Sequence, residues 1–460
     1  MFVIIRIFAQ IYCAVDNTLN DRKERGCVAM LVRLFAKNYG VFRDGFDLSL
    51  EAANLGSDSD HGYFEVPVAA EDKPLRLLRL AAIYGPNGSG KSTVVRAAKA
   101  LHNLVVHSGP GSQEGNRIAA YDPFRLDAAT SSEPSTLGCE VVVEDRVMEY
   151  SISFTAEKVT EERIVEWGRS EDIVWLHRNS NGDIDVNRTH LPAPVSIDFN
   201  AVTRPNAAAI SVAAQLKQDA FLDVYRAIAK SLQTLVWDGP GFGPMEYSLR
   251  RLHDDPAFRS WVLNMLLKPA DIGITDVRTE ERKTPPNPFF DEITLMVGAD
   301  KLGEMPKPFK AVLSHRGVGG EYPIDLGNES TGTQKMVALA GPWYDVVHKQ
   351  LGVFVDELSA SLHPALLMAL LNAFNAPPDK PPSQLVFTVH DPSPLEQTLR
   401  RDQVYFTEKN DEGVARLFPL AEFSDRNVHN IRKRYLEGRY GGLPRLLDFD
   451  SLFDDIEIGD

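Results

Sequence analysis

An unbroken apolar run from Leu78 to Tyr84 leads into eight glycine-rich and polar residues, after which apolar positions recur at Val94, Val95, Ala98 and Leu101. A short continuous run predicts a buried parallel strand, and the three-to-four spacing predicts a helix over Thr93 to Leu101. Residues 30–50 read as two strands joined by a turn at Gly40 to Asp44, and the polar stretch 51–74 as a loop with a short strand at Tyr63 to Val68. Alternation predicts paired strands across Cys139 to Phe154, and Asn181-Gly182 predicts a hairpin after Ile173 to His177. Helical periodicity covers Ala207 to Leu235 and Pro256 to Leu267, and Thr284-Pro285-Pro286-Asn287-Pro288 reads as a linker. Further apolar runs, Leu351 to Val355, Gln384 to Val389, Gln403 to Thr407 and Ala415 to Phe418, read as strands. The pattern is that of an α/β protein.

The residues between that first strand and helix are Gly85-Pro86-Asn87-Gly88-Ser89-Gly90-Lys91-Ser92, which fit G-x-x-x-x-G-K-[ST]. Glycines at these places let backbone N–H groups approach phosphates closely, and a helix N-terminus adds partial positive charge. Pro86, Asn87, Gly88, Ser89, Gly90, Lys91, Ser92 and Thr93 are therefore the candidates for holding a nucleoside triphosphate such as ATP. Lys91 would reach the β- and γ-phosphates, and the Ser92 hydroxyl would ligate Mg²⁺.

Three later clusters carry related chemistry. Leu351-Gly352-Val353-Phe354-Val355-Asp356-Glu357 is a β-branched and aromatic run ending in two carboxylates, which places Asp356 as a metal ligand and Glu357 as the group facing an attacking water. Glu329-Ser330-Thr331-Gly332-Thr333-Gln334-Lys335 opens a helical stretch and is similar to the S-x-G signature of the ABC class, although Ser-x-Gly before a helix is also an ordinary N-cap. The strand Gln384 to Val389 ends at His390, and Ser359-Ala360-Ser361-Leu362-His363-Pro364 is D-loop-like. This order of parts resembles an ABC-type head, in which Ser330 and Gly332 would bind the γ-phosphate held by another protomer and His390 would act as the switch histidine.

Asp325 to Gln334, Val355-Asp356-Glu357-Leu358, Gln384 to Asp391, Arg400 to Phe406 and Lys433 to Gly441 also resemble the bacterial ABC-type ATPases of phage defence. These are the overcoming-lysogenization-defect, abortive-infection and Rlo-type ATP-binding proteins. The resemblance covers most of residues 30–445 and is least specific between about 140 and 300. It implies a P-loop NTPase of ABC type, with a mixed central sheet, flanking helices, an antiparallel β lobe and a mixed α+β insertion. It further implies an ATPase that forms a homo-oligomer, dimer or higher, around ATP and controls a separately encoded nuclease or other effector, with DNA or a phage product as trigger. Glu357, His390 and Lys91 would be catalytic, and Ser92 and Asp356 would hold the metal. The expected organisation is a head in two halves, 30–135 and 305–445, around an inserted lobe at 136–304, with an acidic tail at 446–460.

Composition narrows this little but consistently. A formal charge of −15 over 460 residues disfavours nonspecific coating of nucleic acid. Three cysteines, Cys13, Cys27 and Cys139, show no metal-like spacing and suit a reducing compartment, so a cytoplasmic location is expected, and no run is apolar enough to cross a membrane. Residues 1–29 lack the basic start of a secretory signal, and Met30 directly precedes a strand pattern, so 1–29 read as a non-native upstream extension.

Several features stay open or depart from the family pattern. No glutamine stands near Tyr121-Asp122-Pro123-Phe124-Arg125, where a Q-loop would be, and Pro342 should kink or restart the signature helix. Tyr39 and Phe42 are candidates either for stacking on adenine or for the core of the first hairpin. The stretch Arg432-Lys433-Arg434-Tyr435 with Arg439-Tyr440 could touch nucleic acid or simply end a helix at Gly438, and the acidic tail Asp448 to Asp460 reads as a disordered segment or as a docking segment for a basic partner. After His390 seventy residues remain, too few for a Toprim nuclease domain. A DNA-repair ATPase of the RecF/SMC kind is the alternative, weakened by the missing heptads. A transporter subunit is disfavoured by the roughly 240 positions between Gly90 and Ser330.

Overall fold

The paired strands expected near the start form in this computed structural model, which describes residues 29–54, 61–111, 113–235, 244–270, 273–281, 309–359, 364–375, 382–396, 399–423 and 431–442. The extension to residue 28, the 284–288 linker, the middle of the D-loop-like segment and the acidic tail lie outside the described residues. Two compact units are present and are taken in turn. The described residues of the first fall within 28–234, 350–360 and 367–460, and those of the second within 235–349 and 361–366.

In the first unit β1 (Ala29–Lys37) and β2 (Phe46–Ser49) pair antiparallel, and the turn between them is closed by a bridge of Tyr39 with Phe42. β3 (Tyr63–Val66) pairs with β4 (Leu75–Leu78). The apolar run expected as one strand therefore divides: Leu78 ends β4, while β5 (Leu80–Tyr84) enters a different sheet. Arg79, 2 % exposed, marks the break, its guanidinium over the Phe64 ring and its carbonyl accepting from Leu385 N–H.

β6 (Ser135–Val143), β7 (Arg146–Phe154), β8 (Val159–Glu166), β9 (Ile173–Arg178) and β10 (Ile184–Val186) extend the first pair into one antiparallel sheet of order β10-β9-β8-β7-β6-β1-β2. Strands expected to open a separate lobe at 136 thus pair directly with β1, Leu34 facing Cys139. Alternation puts Leu137, Cys139 and Val141 with Tyr150, Ile152 and Phe154 on the buried face. Helix α1 (Lys91–Gly111) packs into the same core, and the periodicity over 207–235 resolves into α2 (Ala209–Gln215), α3 (Asp219–Ser231) and a strand, β11 (Gln233–Leu235). Lys217 at φ 53 separates the two helices, since a left-handed residue cannot continue a right-handed helix.

The second unit begins with α4 (Pro244–Asp254) and α5 (Pro256–Trp261), the latter running on into π-helical turns at Val262–Leu267. β12 (Ile274–Glu281), β13 (Phe309–Gly317) and β14 (Gly320–Asp325) form an antiparallel sheet. Helix α6 (Thr331–Lys349) carries the signature residues and passes through Pro342 without a break, contrary to the expected restart. Its cause is local. Pro342 cannot donate to the carbonyl four residues back, Ala338, and the Ser248 hydroxyl donates there instead at 2.7 Å while accepting from Gly341 N–H at 2.9 Å.

Back in the first unit, β15 (Gly352–Val355), β16 (Gln384–Thr388), β17 (Val404–Lys409) and β18 (Ala415–Pro419) join β5 in a mixed sheet of order β11-β15-β16-β5-β17-β18. β15, β16, β5 and β17 run parallel, so their C-terminal ends share one edge. Helix α7 (Pro364–Phe374) follows β15, and α8 (Ile431–Leu436) ends the described chain, closed by Gly438 at φ 76. One polar side chain ties the two large sheets together. Gln384, 1 % exposed, accepts from Leu31 N–H and donates to Leu31 O, both at 2.8 Å, where a bulge leaves β1 irregular. Among the described residues no helix is long and apolar enough to cross a membrane.

Candidate functional site

Ligands of parallel sheets bind at the C-terminal ends of the strands, and here β5, β15 and β16 deliver the motif residues to that edge. After Tyr84 the chain turns through Gly85, where a side chain would lie 2.3 Å from Thr407 Oγ1. At Gly90, φ 118, a Cβ would meet the Phe42 ring at 2.8 Å. Asn87, Gly88 and Ser92 are exposed along the loop, while Ser89 is buried, donating to Pro86 O at 2.8 Å and sharing a hydrogen bond of 2.5 Å with Thr407 Oγ1. Thr93 is buried, its hydroxyl accepting from Arg96 and its N–H donating to Gly90 O.

Lys91 folds back over its own loop, Nζ donating to Gly85 O at 2.7 Å and to Pro86 O at 2.9 Å. Burial lowers its pKa from the ordinary lysine value, against the opposing pull of Asp356 and Glu357. Ser92 Oγ donates to Asp356 Oδ1 at 3.1 Å across 264 positions of sequence. Glu357 is exposed and sits at φ 51, which turns the chain sharply out of β15. His390, also exposed, leaves the end of β16, and burial followed by the nearby Lys91 charge lowers its pKa from the usual histidine value, with Glu357 and Asp356 opposing. Lys91, Ser92, Asp356, Glu357 and His390 therefore converge.

Ser330 and Gly332 lie in the second unit. Ser330 caps α6: its Oγ accepts from Thr333 N–H at 3.1 Å and lies 2.9 Å from Thr333 Oγ1. Gln334 Nε2 donates to Glu329 O, and His315 Nε2 lies 2.7 Å from Glu329 Oε1. Tyr39 and Phe42 are both core residues, 4 % and 0 % exposed, which excludes them as an adenine platform. In the segment without a Q-loop glutamine, Asp122 O accepts from Gly40 N–H at 2.5 Å.

Thr388, Thr407 and Gln384 were not singled out by sequence, yet each supports a functional loop or joins the sheets. A visible signal existed: a polar residue in an otherwise apolar, buried strand requires a partner.

The donor set fits Mg²⁺. Cis ligands of an octahedral ion with metal–oxygen bonds of ~2.0–2.1 Å stand about 2.9 Å apart, close to the 3.1 Å between Ser92 Oγ and Asp356 Oδ1. Among the described residues no group of three or more His, Cys, Asp or Glu could hold a metal.

The family model described as "AAA domain, putative AbiEii toxin, Type IV TA system" matches residues 80–396. No curated protein matches the chain. Solved structures similar to it include an SmcHead bound to the C-winged helix domain of ScpA, at 13 % identity, covering 85 % of this chain and 98 % of that one, TM-score 0.43. The SMC head domain from Thermotoga maritima has 13 % identity, the same coverages and TM-score 0.36. An Smc head with an extended coiled coil bound to the C-terminal domain of ScpA, from Pyrococcus furiosus, has 11 % identity, coverages of 85 % and 96 %, and TM-score 0.44. Likenesses this low leave the fold to be read from the strand order and the family match, which give an α/β P-loop NTPase.

Proposed function

The chain belongs to the AAA-domain family whose model spans residues 80–396, and from that premise we propose that it hydrolyses ATP in a site shared between two copies. The observation that carries this reading is the contact of Ser92 with Asp356 at the shared strand edge, beside Lys91. Ser92 and Asp356 would hold Mg²⁺, which would supply positive charge to the bound phosphates. Lys91 exchanges its two loop carbonyls for phosphate oxygens, and the amides of Asn87 to Thr93 line the phosphates. Glu357 orients and deprotonates water, and His390 donates a hydrogen bond to the γ-phosphate. Ser330 and Gly332 of a second copy complete the site, so turnover requires assembly. Turnover per chain, measured with Mg²⁺ and ATP across protein concentrations, should rise steeply with concentration. A constant value would contradict a shared site.

The assembly we infer licenses a separate effector, a nuclease being the leading class, in bacterial anti-phage defence. The support is the resemblance at Asp325 to Gln334 and Lys433 to Gly441, together with a family description that names a toxin of a toxin–antitoxin system. Nuclease activity of the product of a neighbouring gene, measured with and without this chain and ATP, tests it. A nuclease indifferent to both, beside a chain whose turnover rises on double-stranded DNA, would favour the direct DNA-repair role instead.

A further inference from the structure

β16 lies between β15 and β5, so its last residue stands between the strand of Asp356 and the strand of the phosphate loop. That residue is Thr388, fully buried at the end of Gln384-Leu385-Val386-Phe387. Its Oγ1 donates to Asp356 Oδ1 at 2.6 Å and accepts the N–H of Glu357 at 2.7 Å. Its carbonyl accepts from Leu358 N–H at 3.0 Å. A hydroxyl has one proton and two lone pairs, so both side-chain bonds are satisfied together. Glu357 meanwhile occupies the left-handed region at φ 51, which is unfavourable for a side-chain-bearing residue.

We propose that Thr388 is a positioning residue of this ATPase site. Its hydroxyl fixes the carboxylate of Asp356 against Ser92, and the same atom holds the peptide of Glu357 in its left-handed turn. Metal ligand and water-facing carboxylate are thereby registered by a single group that touches neither nucleotide nor metal. Serine preserves both bonds. Valine preserves the shape, removes the donor to Asp356 and leaves the Glu357 N–H without its acceptor.

The inference rests on the function proposed above. Binding of a fluorescent non-hydrolysable ATP analogue is titrated with Mg²⁺ for the wild type, Thr388→Val and Thr388→Ser, with kcat and KM for ATP measured in parallel. Thr388→Val should raise the half-saturating Mg²⁺ concentration roughly 10–100-fold and lower kcat more than it alters KM, while analogue binding in EDTA stays within about twofold and Thr388→Ser recovers to within about threefold. An unchanged Mg²⁺ titration in Thr388→Val would overturn the proposal, as would equal damage from serine and valine. Should the valine variant fail to fold, Thr388→Ala carries the same readings. Wild-type protein that binds the analogue but never turns ATP over sinks the hydrolase reading, and the Mg²⁺ titration still decides Thr388.

Discussion

Asp356 in the first unit is engaged by side chains from elsewhere in the fold, Ser92 at a sequence distance of 264 and Thr388 at 32. Ser330 in the second unit is engaged by Thr333, three positions along its own helix. Contacts of the first kind exist only because the sheet brings three strand ends to one edge, and no local rule accounts for them. A contact of the second kind is what any capped helix makes. The phosphate-loop residues are thus assembled within one unit, whereas the signature serine fulfils a structural task, and its proposed part in binding nucleotide is tested separately.

The largest expected effect tests the assembled end. Glu357→Gln should lower turnover about 10²–10⁴-fold, the usual contribution of a general base, while retaining ATP and accumulating an ATP-bound dimer visible by size-exclusion chromatography. Turnover at the wild-type level would remove Glu357 from that role. Lys91→Ala should weaken analogue binding by roughly 100-fold or more, because the phosphates lose the cation that faces them, and equilibrium binding measures it directly.

The next effect sharpens the contrast at Ser330. Aspartate caps a helix as well as serine does, so Ser330→Asp keeps α6 intact. Beside a γ-phosphate, however, its charge should cut turnover by about 10-fold or more, with thermal stability unchanged. A variant that turns over normally would reduce Ser330 to a cap. Ser248→Ala should act on the second unit alone. It strips the Ala338 carbonyl of its donor and costs about 1–3 kcal/mol, read by denaturant unfolding, with analogue binding at Lys91 unaffected.

The last effect concerns pH. Burial, reinforced by nearby His107, pushes His102 of α1 down to about 4. The unfolded chain, with an ordinary histidine near 6.5, binds more protons between those values, so this contribution to stability is complete above pH 6.5 and is lost as pH falls through about 4. Melting temperatures of wild type and His102→Gln across that window should converge toward acid.

The strand–loop–helix at 80–101, the carboxylates of β15 and the histidine after β16 were legible because each rests on a short local pattern with a chemical purpose. Domain organisation was less so. Residues 135–186 alternate as any antiparallel sheet does, and nothing local says that β6 pairs with β1 rather than starting a lobe. That the helix does not restart at Pro342 was hidden for a similar reason, since Ser248, 94 positions upstream, supplies the missing donor. Thr388 and Thr407 escaped notice because a threonine at the end of an apolar strand shows its partners only once the strand order is known.

Mixing decides the central claim. Lys91→Ala and Ser330→Asp chains should each turn over at about a tenth of the wild-type rate or less when alone, but a mixed dimer of the two holds one intact site, Lys91 from one copy facing Ser330 from the other. An equimolar mixture should therefore regain about a quarter of wild-type turnover if copies pair at random in two-fold dimers. A mixture as inactive as its components would contradict a shared site.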